Sequence, residues 1–274
     1  MKKTLSNISE LLYNNAPIEI KVMLLLKLSC LLFLSIGLTA CVTTQTPKIS
    51  HVHIGHAMTA WRNTPNEQGL FITAEQEAVI AAEHAQYAIE NSHDLNLLKM
   101  HIKHVQHAMD PNIAKQGPGL GYGFIKALNA ARDHILFAAD SSDASENIKS
   151  SAQLWSTSVD IIIKRSYLVL ALCKGVLESD SHEEVMVLAD EIQLLTQQNL
   201  YGYDSDADGT IGNIKADYGI KQLKGEILAM IEKEEPPYQT VDKKYLFGLI
   251  RLPSGVWMFD FDLQPGTGTD VLEY

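Results

Sequence analysis

The stretch DLNLLKMHIKHVQHAMDP, residues 94–111, decides the fold. Turned at about 100° per residue, Leu98, Ile102, Val105 and Met109 fall on one apolar stripe, while Lys99, Lys103 and Gln106 fall on a wet face. Asp94 is a helix-starting residue and Asp110-Pro111 a stop, so the pattern predicts a helix from Asp94 to about Met109. His101 and His104 form a third flank with Leu97 and Ala108. Their spacing lets two imidazoles share one ion, with the Met100 thioether nearby.

The neighbouring segments read the same way. Thr73, with Gln76 three residues later, resembles a capping box opening a helix that runs through an alanine-rich stretch to about Asn91. Further helices are expected from about Tyr122 to Ala139, Ser145 to Glu178, Ser181 to Leu200 and Asp217 to Glu234. Short connections favour antiparallel neighbours, so the expected fold is all-α, an antiparallel helical bundle of four to six helices over residues 51–235. After Pro236-Pro237 the character changes. Tyr245 to Arg251 and Val256 to Phe261 read as a small β-hairpin turning at 252–255, within a tail at 236–274. The glycine-rich segment Gly117–Gly123 reads as a connecting turn whose amides could bind an anion at the start of the third helix.

All ten histidines lie beyond residue 40, most of them between His51 and His107. His51, His53 and His56 sit within six residues, and an extended segment bent at Gly55 would bring their rings together. His84 among the alanines and His134 beside Ala127, Ala131 and Ala138 have room to face the same interior as His101 and His104. A transition-metal site drawn from His51, His53, His56, His84, His101, His104 and His134 is therefore expected, with zinc or copper the ions that suit imidazole donors. Two facing histidines in a bundle could also grip haem b, although no Cys-x-x-Cys-His for covalent attachment is present. The competing reading of each ring alone is ordinary polar packing.

Asp204-Ser205-Asp206-Ala207-Asp208-Gly209-Thr210-Ile211 resembles the first eight positions of an EF-hand calcium loop. The resemblance implies calcium held by Asp204, Asp206, Asp208 and the Thr210 carbonyl, with Gly209 permitting the turn and Ile211 pinning the loop to the core. It breaks at position 12 of the loop 204–215, where Lys215 replaces the bidentate glutamate. Asp217 is the nearest carboxylate able to compensate.

Leu38-Thr39-Ala40-Cys41 closes an apolar run from Leu28 to Leu38 and resembles the lipobox of bacterial lipoproteins. The resemblance implies a signal peptide at 1–40, with Met23 an alternative start, and a lipidated Cys41 as the mature terminus. The run is shorter than the roughly 20 apolar residues of a membrane span. Residues 41–50 read as a tether. The expected location is the cell envelope, lipid-anchored at the outer membrane and facing the periplasm, because Val42 lacks the aspartate that in such lipoproteins favours inner-membrane retention. Loss of residues 1–40 removes four lysines and two glutamates, moving the net charge from −11 to −13. That balance argues against a nucleic-acid partner. Cys173 is left as the one other thiol, expected to be an inert core residue, so no internal disulfide supports the fold.

These features together point to a non-catalytic, metal-binding envelope lipoprotein. A scaffold that binds a protein partner through its acidic bundle and the aromatic residues Tyr245, Phe247, Trp257 and Phe259 is the alternative. A metal hydrolase or oxidase would also need an open coordination position and a general base, which no motif here supplies.

Overall fold

The computed structural model describes residues 48–235 and 237–238, and the short strands 242–245 and 250–253. Cys41, the signal segment and most of the tether lie outside the described residues, as do Phe247, Trp257 and Phe259. Seven helices pack together among them: α1 (Ile49–Met58), α2 (Leu70–Glu90), α3 (Leu95–Met109), α4 (Phe124–Asp140), α5 (Glu146–Glu178), α6 (His182–Tyr201) and α7 (Ile220–Glu232). None of the described helices is long and apolar enough to cross a membrane.

Helix α3 forms over the predicted residues, although Gln106, expected on the wet face, is buried. Asp94 caps it, its carboxylate accepting hydrogen bonds from the backbone N–H groups of Asn96 (2.9 Å) and Leu97 (3.2 Å). The stripe of Leu98, Ile102, Val105 and Met109 is fully buried. Helix α2 lies against α3, α6 and α4, and its buried face is alanine: Ala74, Ala78, Ala81, Ala82, Ala85 and Ala88. Side chains this small let neighbouring helices approach closely. The long α5 packs on α3, α4, α6 and α7, and Trp155 fixes α7 by donating its indole N–H to the Leu223 carbonyl at 3.0 Å.

Four sequence expectations are corrected. The bundle has seven helices rather than four to six, because residues 49–58 coil into α1 instead of running extended. Helix α1 is buried on nearly every side, so it carries no amphipathic stripe to read. Its first amides are satisfied from far along the chain, Ile49 N–H and Ser50 N–H donating to the Asp143 carboxylate at 2.5 and 3.0 Å. Helix α2 starts at Leu70, three residues before the expected cap: Thr73 is buried in the first turn and donates to the Gly69 carbonyl, while Gln76 pairs with Gln68. The hairpin pairs Asp242–Tyr245 with Ile250–Pro253, Asp242 opposite Pro253, ahead of the expected pairing; the expected second strand, Val256 to Phe261, lies wholly outside the described residues.

The fourth correction concerns the glycine-rich segment, whose anion is internal. Fully buried Glu77 of α2 accepts hydrogen bonds from the N–H groups of Leu120 (3.2 Å), Tyr122 (3.0 Å) and Gly123 (3.0 Å), just ahead of α4. The carboxylate thus occupies the positive end of the α4 dipole. Gly119, at φ +120°, passes so close that a Cβ there would sit 2.5 Å from a Glu77 oxygen. This contact locks α2 to the start of α4, the two helices that carry His84 and His134. Glu77→Ala would strand two buried donors and a part-buried one, so a loss of roughly 3 kcal/mol is expected, measured as a lowered urea midpoint; an unchanged midpoint would refute the clamp.

Candidate metal centres

The histidines gather in two places, not one. On α1, His53 and His56 are one turn apart and face α4, which presents His134. The Nδ1 atom of His134 lies 3.1 Å from that of His53 and 3.3 Å from that of His56. On α3, His101 and His104 are again one turn apart and face α2, which presents His84. The Nδ1 atom of His84 lies 3.0 Å from that of His101 and 3.3 Å from that of His104.

The two triads share their ring arrangement as well as their spacing. The two imidazoles on the same helix stand edge to face, at 85° and 5.8 Å in both cases. The lone ring of the facing helix meets the second of them nearly perpendicularly, at 81° for His56–His134 and 83° for His84–His104. It meets the first at a shallow angle, 37° for His53–His134 and 28° for His84–His101. In each triad three ring nitrogens lie within 4.8 Å of one another.

An imidazole nitrogen carries either one proton or one lone pair, in the plane of its ring. One Nδ1 atom therefore cannot make two good hydrogen bonds to two other Nδ1 atoms, whereas a cation among the three satisfies every lone pair. For zinc with nitrogen at 2.0–2.1 Å, the edge of a tetrahedron is about 3.3–3.4 Å, close to the nitrogen separations here. Three converging nitrogens are the donor set of a compact ion. A haem instead takes two axial ligands from opposite faces of a macrocycle.

The electrostatics favour the neutral, ligating form of the rings. Burial, and then the neighbouring His53, lower the pKa of His134 to about 4. Burial, and then His104 and His101, lower that of His84 to about 4. Burial also lowers His53, against an opposing pull from Asp143, and His101, against Glu90. His104 is lowered by burial and by the neighbouring His101 and His107.

The triads differ in their surroundings. His53, His56 and His134 are 6, 3 and 9 % exposed, and two aromatic rings flank them, half-buried Trp61 and exposed Phe137. Trp61 lies 4.8 Å from both His56 and His134, and Phe137 lies 5.5 and 5.8 Å from His53 and His134. His84, His101 and His104 are all half-buried, and the ring beside them, Tyr87, is itself exposed.

His51, grouped by sequence with His53 and His56, turns elsewhere. Its Nε2 meets a Glu234 oxygen at 3.2 Å, and the other Glu234 oxygen accepts from Ser145 Oγ at 2.6 Å and Asn147 Nδ2 at 2.7 Å. On a helix it points away from the other two rings, so it ties α1 to the start of α5 and the end of α7. The single pooled site expected from sequence is accordingly replaced by two triads without His51. Glu234, Trp61 and Phe137 carried no sequence signal, since each acts through a neighbour distant in the chain.

Asp204, Asp206 and Asp208 converge as a third donor group. Gly209 takes φ +87°, the left-handed turn that the EF-hand likeness calls for, but Ile211 is 49 % exposed and does not pin the loop to the core. Asp204 accepts from Asp208 N–H and Gly209 N–H at 3.0 and 2.8 Å, and Asp208 accepts from Thr210 N–H and the Asn213 amide at 2.8 and 2.7 Å. Crowding with Asp208 contributes to raising the Asp206 carboxyl, behind desolvation. Asp217 sits in the 3₁₀ turn Lys215–Asp217, and its oxygens accept from Ser205 N–H, Ser205 Oγ, Gly212 N–H and Ile214 N–H. Those bonds, led by that of the Ser205 hydroxyl, hold it down at about 2 and use the roughly four lone-pair sites of a carboxylate. Asp217 thus closes the loop through its amides. Cys173 is buried, and burial pushes its thiol well up.

Comparisons with protein-family models, with curated proteins and with solved structures returned no match to this chain, so the donor geometry itself carries the functional reading.

A pH dependence follows from the lowered histidines. Between about pH 6.5 and 4 the unfolded chain binds protons that folded His134 and His84 refuse, so metal-free protein should lose stability as pH falls through that window. Thermal melts between pH 7 and 4 test this, and a flat melting temperature across the window would contradict it.

Proposed function

We propose that this protein is an envelope-tethered lipoprotein that holds two transition-metal ions, one at His53, His56 and His134 and one at His84, His101 and His104. A single observation carries the reading. Two helix pairs at separate points in the chain, α1–α4 and α3–α2, arrive at the same three-ring geometry, the facing helix's Nδ1 lying 3.0–3.3 Å from each of the other two and all three nitrogens within 4.8 Å. Ordinary polar packing has no reason to reproduce one arrangement twice, and tetrahedral coordination does. All-nitrogen donors suit zinc, with copper the competing ion. Alanine neighbours at the α2 interface leave the space that ring convergence needs.

Calcium at Asp204, Asp206 and Asp208, with the Thr210 carbonyl, is the third element of the proposal, supported by the carboxylate grouping and the left-handed Gly209. With Lys215 at the twelfth position and Asp217 engaged by backbone, such a site is weak, with a Kd on the order of 10⁻⁴ to 10⁻³ M. Calcium outside the cytoplasm can still occupy it. The lipobox at Cys41 supports tethering to the envelope, with the outer membrane favoured by Val42.

Protein expressed from residue 48 onward and stripped of metal should bind two equivalents of zinc by calorimetry. His134→Ala and His84→Ala should each retain one equivalent, and the double variant none. Wild-type protein that takes up neither zinc nor copper would overturn the proposal. Calcium should add one weak equivalent that Asp204→Ala abolishes while leaving zinc binding intact.

A further inference from the structure

The two ions would not be equivalent, and their difference says what the second can do. Among the described residues, each triad brings together three donors from histidine, cysteine, aspartate and glutamate side chains. A tetrahedral ion needs a fourth. At His53, His56 and His134 the imidazoles themselves are almost wholly removed from water, and the rings beside them, half-buried Trp61 and the outer Phe137, itself 51 % exposed, offer no ligand atom. An anion entering there would leave water for an apolar enclosure, at high cost.

At His84, His101 and His104 that enclosure is missing. All three rings are half-buried, where those of the other triad are at most 9 % exposed, and Met100, next in the chain to His101, is 39 % exposed. We propose that the ion at His84, His101 and His104 is coordinatively open: its fourth position holds solvent water and exchanges it for a small anionic donor, whereas the ion at His53, His56 and His134 is closed to such exchange. The first ion is then the one that meets an external ligand, a carboxylate, phosphate or similar oxyanion. The ion at His53, His56 and His134 is a staple that fastens α1 to α4. This division rests on the two-ion reading of the preceding subsection.

Cobalt(II) is the probe, because its visible ligand-field bands report changes in coordination, and azide is the test anion. Wild-type protein loaded with two equivalents should show a saturable azide response in about half of its band intensity, as one of the two bound ions exchanges a ligand. His134→Asn, which keeps only the open triad, should respond in full; His84→Asn, which keeps only the closed one, should not respond. The wild-type titration stands even if a variant fails to fold. Two bound cobalt ions with no azide response, or with a response from the His84→Asn protein, would overturn the inference while leaving the two-ion reading intact. Failure of cobalt to bind at either triad would overturn both.

Discussion

Each imidazole nitrogen has one direction in which it can give or accept, and this protein aims three of them at a single point, twice. The rest of the architecture serves that constraint. Two histidines one turn apart on a helix can reach the same point only from one face, and the third must come from a helix packed squarely against that face. Helices α1 and α4 satisfy this for one triad, and α3 and α2 for the other. In each triad the lone ring stands nearly perpendicular to one partner and lies at a shallow angle to the other, with its Nδ1 directed at both.

Holding six imidazoles in this way requires a scaffold that does not give. The buried alanines of α2 allow close helix approach, and buried Glu77 fastens the same helix to the amides ahead of α4. Asp143 holds the first turn of α1 and the Glu234 network holds its His51, so the helix carrying His53 and His56 is fixed from two sides. Carboxylates recur at these joints because each satisfies several donors at once. Metal-free, the triads would be a weak point: neutral rings crowded nitrogen to nitrogen gain little from one another.

The aspartate turn follows a different logic. Arg165 of α5 is buried against the carbonyls of Ala216 and Tyr218 and the ring of Tyr203, and so ties the aspartate turn to the longest helix. Burial lowers the pKa of that guanidinium, with Tyr203 opposing. The turn closes largely on itself through Asp217, which explains how it keeps a left-handed glycine and grouped carboxylates despite lacking the twelfth-position glutamate.

The helical class of the fold was legible because α3 and α5 keep an apolar period of about 3.6 residues and begin at Asp94 and Ser145, caps that act within a few residues of themselves. The same periodicity put His101 and His104 on a common flank. Helix α1 was not legible: it is buried all round, and its amides are capped by Asp143, which is adjacent only after folding. Nor could the chain order reveal that His134 joins His53 and His56 while His84 joins His101 and His104. Local spacing is written into a single helix, but the third ligand arrives across a helix interface, and only the packing of whole helices chooses which faces meet.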